Sequence, residues 1–148
     1  MAKILAVCRS DHKGTVKDPI AEGRIEEDFG LKGDAHAESH IKRQVSLMSI
    51  ESINRMRAEG YDVIPGSFAE NLTTEGIDLL SMPIGTRFAV GDSVLLEITQ
   101  IGKECHTGCA IFKQVGKCIM PKEGVFTKVL RSGVVRAGDE ITVSQHGD

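Results

Sequence analysis

The sequence predicts a mainly β protein, a closed or half-closed β-barrel with one or two short helices at its ends. Three observations carry that expectation. Strand-like runs are short and numerous, the 16 glycines fall mostly at turn-like places between them, and a single stretch carries clear helical spacing. The 148 residues suit one domain, residues 1–148, with its core between about residues 3 and 143.

Taken in order, residues 3–7 open the chain as a strand, residues 21–27 and 44–48 follow, and residues 68–73 form a weaker one. Ser49 can cap a helix, because its hydroxyl accepts an orphan backbone N–H of the first turn. Ile50, Ile53 and Met56 then recur at helical spacing until Gly60 stops the run. Pro83 and Gly85 end whatever precedes the strongest strand pair, residues 86–90 and 93–101. Gly91-Asp92 between them reads as a two-residue loop, with Gly91 supplying the positive φ of a type II′ turn. Val94, Leu96 and Ile98 share one face by period two. A second short helix is expected over residues 109–115. Residues 125–130 form another strand, Ser132-Gly133 a turn, and residues 134–143 its paired return.

Composition excludes several functions. The net charge of −3 leaves no electrostatic footprint for nucleic acid, and an aromatic content of 4% without tryptophan leaves no stacking platform for single strands. No apolar run approaches the ~20 residues a membrane span requires. The apolar N-terminal run meets Arg9 and Asp11 too early for a signal peptide. The expectation is a cytoplasmic protein whose four cysteines are reduced, with neither nucleic acid nor membrane as partner.

The densest chemistry lies at Gly102-Lys103-Glu104-Cys105-His106-Thr107-Gly108-Cys109, just beyond a predicted strand. Lys103 and a protonated His106 would lower the Cys105 pKa and raise its thiolate fraction. A thiolate can accept a persulfide or bind a soft metal such as molybdenum or copper(I). Buried cysteine also packs as a small hydrophobe, and for one isolated cysteine that reading would prevail. Zinc is an alternative, with Cys105, His106, Cys109 and Cys118 as four ligands. However, structural zinc favours a tighter Cys-x2-Cys knuckle, and neighbours in a strand point to opposite faces.

Gly30-Leu31-Lys32-Gly33-Asp34-Ala35-His36 is the second candidate. Its glycines permit close backbone approach to a ligand, and His40, Lys42 and Arg43 follow in the most basic stretch of the chain. Such a segment can hold phosphate or pterin oxygens through charge-assisted hydrogen bonds, and it is equally an ordinary turn with exposed histidines. Pro65-Gly66 is a type II turn signal, with Glu70 and Asn71 set beside Phe68 and Leu72.

These pieces stand in a familiar order. Gly33-Asp34-Ala35-His36, Arg43-Gln44-Val45-Ser46, the run from Pro65 to Leu72, Pro83-Ile84-Gly85-Thr86, Val90-Gly91-Asp92 and Glu97-Ile98-Thr99-Gln100 precede Cys105. In this the chain resembles the MOSC domain, named for the C-terminal part of molybdenum cofactor sulfurases, in its compact stand-alone bacterial form. The resemblance implies a barrel-like fold and a cysteine site associated with molybdenum cofactor, or with sulfur delivered by a pyridoxal-phosphate desulfurase.

Carried over by position, Cys105 is the reactive cysteine and metal ligand, and Asp34, His36, Arg43 and Asn71, with Lys103 beside the cysteine, are cofactor-binding. The partners implied are the cofactor, its biosynthetic enzymes and a cysteine desulfurase. Pyridoxal phosphate itself is expected on the partner, not on this chain. Glu104 stands where larger relatives often have proline, and a carboxylate there opposes thiolate formation. Two other functions are kept beside this one: a small molybdenum-dependent reductase of N-hydroxylated compounds with an external electron donor, and a zinc-stabilised binding module.

Overall fold

The computed structural model describes residues 2–13, 15–102 and 119–147. The Cys105 cluster, Lys103, Cys118 and the helix expected over residues 109–115 lie outside the described residues.

The chain is mainly β, as predicted. The larger sheet has eight strands: β1 (Lys3–Arg9), β2 (Asp18–Ile20), β5 (Val45–Ser49), β6 (Leu72–Glu75), β7 (Arg87–Val90), β8 (Val94–Ile101), β9 (Val125–Arg131) and β11 (Ile141–Gln145). Their spatial order is β11-β7-β8-β9-β5-β6-β1-β2. A smaller sheet joins β10 (Gly133–Arg136), β3 (Glu22–Glu26) and β4 (Gly30–Leu31) in that order. The helices are α1 (Ile50–Ala58) and a single turn, α2 (Met120–Glu123).

Alternation governs the strands. Val94, Leu96 and Ile98 of β8 are buried on the face that period two assigns them, opposite Phe88 and Val90 of β7. With Ile4, Val7, Leu47, Leu72, Val125 and Ile141 they form the main core. A second apolar cluster lies under α1, where Ile50, Ile53 and Met56 pack with Met48, Phe68, Met120 and Phe126. Strands β5 and β6 are parallel, which requires a crossover, and α1 supplies it. Ser49 ends β5 and caps α1, its hydroxyl accepting the Ser52 N–H at 3.2 Å. Gly60, at φ +98°, follows the helix end as its stop. Glu123 of α2 accepts from Ser52 Oγ at 2.8 Å and from Arg55, tying the short helix to α1.

The structure departs from expectation at four places. Val90 pairs with Val94, so the hairpin loop is Gly91-Asp92-Ser93, one residue longer than predicted. Gly91 does take a positive φ of 62°. A Cβ there would stand 2.9 Å from Asp139 Oδ2, because the turn at residues 137–140 packs against it. That second turn breaks the expected return strand in two: β10 pairs with β3 in the smaller sheet, and β11 pairs with β7. The strand expected at residues 68–73 begins only at Leu72, because Ala69 takes φ +66° and curls the chain before it.

Finally, the sheets are not closed. β1 and the start of β11 meet at an isolated bridge, Lys3 to Glu140, instead of along a ladder. The bonds Ile4 N–H to Asp139 O and Gly138 N–H to Ile4 O, each 2.7 Å, flank it. Among the described residues, no helix is long and apolar enough to cross a membrane.

Replacing Ser49 by Ala should lower stability by about 1 kcal/mol through loss of the α1 cap. Urea denaturation should show a lower midpoint at unchanged slope, since the surface exposed on unfolding is the same.

Candidate functional site

A cavity of about 180 Å³ opens where the second apolar cluster meets the start of β5. Phe68, Ala69, Met120 and Phe126 give it apolar walls. Lys13, His36, Arg43, Ser46 and Asn71 supply the polar ones. No described residue lining it is acidic. Three of the predicted binding residues, His36, Arg43 and Asn71, are therefore brought together from separate segments. Arg43 is exposed, and its guanidinium lies 5.7 Å from the Phe126 ring centroid, stacked over one wall.

Asp34 stands behind this wall. Its side chain is fully buried against that of Lys17, also fully buried, with Nζ 2.7 Å from Oδ1. The Ser10 N–H donates to Oδ1 at 3.1 Å and the His36 N–H to Oδ2 at 3.0 Å. Burial disfavours the Asp34 charge, yet the bonds from His36, Lys17 and Ser10 and the Lys17 charge outweigh it. Its carboxyl is held well below the usual carboxylate range. Lys17 also meets His36 Nδ1 at 2.9 Å. Asp34 thus shapes the site from beneath, whereas the sequence expectation placed it in contact with cofactor.

Asn71 is likewise a structural clamp as well as a lining residue. Its Oδ1 accepts from Ser46 N–H at 3.0 Å, and its Nδ2 donates to Cys8 O at 3.2 Å. Its backbone binds the same two residues, with Cys8 N–H donating to Asn71 O at 2.7 Å. The amide thereby locks β1 to β5 across the cavity floor.

Glu70 holds the preceding turn. It is fully buried and accepts from Gly66 N–H at 2.9 Å, Thr73 Oγ1 at 3.0 Å and Phe68 N–H at 3.3 Å. Burial pushes its carboxyl upward despite those bonds. The turn keeps Ala69 at positive φ, a conformation that costs a non-glycine residue of order 1 kcal/mol and that aims the chain into the cavity. Gly66, at φ +93°, is required by close approach: a Cβ there would fall 2.2 Å from the Lys17 carbonyl oxygen.

Sequence reasoning missed several members of this region, among them Lys13 in the cavity lining. Lys17 carries no motif, and only its burial reveals it. Gln44, fully buried, accepts from Val129 N–H and donates to Asp28, each at 2.9 Å, and so fixes the strand entry beside Arg43. Cys8 is buried, and burial together with the Glu70 and Asp18 charges raises its thiol to about 12, so it is no nucleophile.

A basic cavity with aromatic walls, built on a β-rich scaffold, defines a domain suited to holding an anionic group. The MOSC domain model matches residues 33–142, and the chain belongs to the MOSC domain family. Solved structures share the fold. The YUAD protein from Bacillus subtilis is 21% identical with a TM-score of 0.75, over 95% of this chain and 93% of that one. YiiM from Geobacillus stearothermophilus is 18% identical with a TM-score of 0.72, over 98% of this chain and 76% of that one. YiiM from Escherichia coli is 19% identical with a TM-score of 0.71, over 99% and 71%. No curated protein matches the chain.

Two outcomes should follow. Asp34→Asn strands the Lys17 ammonium and should cost about 3 kcal/mol. In the wild type, the unfolded chain takes up the Asp34 proton at a higher pH than the folded one, so this contribution is full above about pH 4 and declines as pH falls further. Denaturation between about pH 2 and 7 should show that acid-side decline in the wild type and its loss in the variant. Cys8 should resist thiol reagents at about pH 8 in the folded protein and react on unfolding, as peptide mass spectrometry would read.

Proposed function

We propose that this MOSC domain binds molybdenum cofactor in the cytoplasm. The cavity holds an anionic end of the cofactor, and Cys105 ligates the metal or carries sulfur as a persulfide. The observation that carries this reading is the convergence of Lys13, His36 and Arg43 on one cavity with Phe68 and Phe126 in its walls and no acidic lining residue among those described. The residue types fit the group: cationic donors suit phosphate oxygens, and aromatic faces suit a flat heterocycle. At about 180 Å³ the cavity takes one end of such a ligand, since sites enclosing whole cofactors run to roughly 300 Å³ or more.

Arg43 would supply paired N–H groups to an oxyanion, Lys13 a mobile charge, and His36 a directed hydrogen bond. Bound molybdenum would supply redox and sulfur-ligand chemistry. Support for Cys105 comes from its motif context and from the flanking chain: Gln100 pairs with Phe126, and Met120 lines the cavity. In the sulfur-carrying form, a desulfurase persulfide would pass its outer sulfur to the Cys105 thiolate and recover its own thiolate.

The test is loading. The purified protein is incubated with molybdenum cofactor, and separately with a cysteine desulfurase and cysteine. Bound molybdenum should reach about one per chain, weaken about tenfold in Arg43→Ala and be lost in Cys105→Ser. Sulfur carriage would add about 32 Da to the Cys105 peptide, one sulfur on the thiol. The absence of both molybdenum uptake and a mass gain would sink the proposal.

A further inference from the structure

Lys17, Asp34 and Glu70 are the charged side chains buried among the described residues, and Lys17 belongs to none of the motifs that mark the site. It also lies outside the span that the MOSC model matches. Its ammonium has three hydrogens and faces three partners: Asp34 Oδ1 at 2.7 Å, His36 Nδ1 at 2.9 Å and Ser10 Oγ at 3.3 Å. The directions of these bonds are determined. An ammonium only donates. Ser10 Oγ gives its own hydrogen to His12 O at 2.8 Å, so from Lys17 it accepts.

His36 Nδ1 must likewise present its lone pair to Lys17. The hydrogen of the neutral ring then sits on Nε2. Asp34 is the more distant rival for that nitrogen, with Oδ2 3.7 Å from Nδ1 against 2.9 Å for the Lys17 ammonium. The ring geometry turns Nε2 away from Lys17. The side chain is 31% exposed and lines the cavity, and Nε2 has no hydrogen-bond partner among the described residues.

We propose that Lys17 is a positioning residue that holds His36 in its Nε2–H form, so that the cavity selects a ligand oxygen that only accepts hydrogen bonds, as in a phosphate or another oxyanion. The selection of ligand rests on the anion-site reading above. The role of Lys17 does not. The Lys17–Asp34 pair adds no net charge, which leaves Lys13 and Arg43 to set the field of the cavity. Without Lys17, the carboxylate of Asp34 would draw the ring hydrogen to Nδ1. The bare Nε2 lone pair would then face the ligand and repel an oxyanion.

The experiment has a ligand-free arm and a binding arm. Long-range proton–nitrogen spectra of the ¹⁵N-labelled full chain, at about pH 8.5 and above the ordinary histidine range, read which ring nitrogen carries the hydrogen. Calorimetric titration with inorganic phosphate then compares the wild type, Lys17→Met, His36→Ala and the double variant. The wild type should show hydrogen on Nε2, and Lys17→Met should move it to Nδ1. Lys17→Met should weaken phosphate binding about tenfold in the wild-type background and less than about twofold in the His36→Ala background, since Lys17 acts through the ring.

An equal loss in both backgrounds would mean that Lys17 acts only through the fold, which overturns the proposal. Hydrogen on Nδ1 in the wild type overturns it without any variant, and decides the matter should Lys17→Met fail to fold. A wild type that binds no phosphate overturns the anion-site reading and the ligand selection, while the spectra still decide the role of Lys17.

Discussion

An ammonium group removed from water must have its hydrogens matched and its charge opposed, or the chain will not bury it. Lys17 meets both demands at the junction of three segments: the loop after β1, the turn at residues 34–36, and the turn at Gly66. Its Nζ reaches Asp34, His36 and Ser10, and its backbone N–H donates to Gly66 O at 2.8 Å. Two walls of the cavity are referred to this point. His36 is oriented from it directly, and the Ala69 wall is carried by the turn that Lys17 meets. An ion pair of this kind adds little net stability compared with apolar packing, but it leaves the chain few alternative arrangements.

Around that pair, side chains that look like ligands divide into two kinds. Asp34, Glu70 and the Asn71 amide bind the protein itself. Each accepts a backbone N–H from a neighbouring segment, and each is buried. Arg43 and Lys13 are exposed, and His36 keeps one ring nitrogen for the cavity. The inner set includes the carboxylates, and the outer set is basic or neutral. That separation leaves the described lining of the cavity without a carboxylate in a chain whose net charge is −3. Composition alone hides such a site, because overall charge does not report its distribution.

The alternating β8 run, the capped α1 and the turn glycines are local signals, readable from spacing and side-chain type, and each is realised in the structure. The motif order also led to the MOSC family, and with it to His36 and Arg43. What local patterning does not contain is pairing between distant strands. Nothing in residues 134–143 announces that β10 joins β3 while β11 joins β7, nor that β5 and β6 run parallel. Those outcomes follow from the competition of all strands for hydrogen-bonding edges and for one core. Sheet closure is not legible in the sequence for the same reason, since it depends on how far β11 extends along β1.

The sequence by itself determined the β class, the helix start at Ser49, the family, and the residue types available to hold an anion. Tertiary structure alone decided which of them face the cavity. Asp34 shares a motif with His36, yet turns inward, because buried backbone N–H groups and the Lys17 ammonium need acceptors there. Lys17 shows the limit most plainly. In the sequence it is an ordinary lysine near a valine and an aspartate, and its role exists only because folding encloses it with Asp34, where water can no longer satisfy its charge.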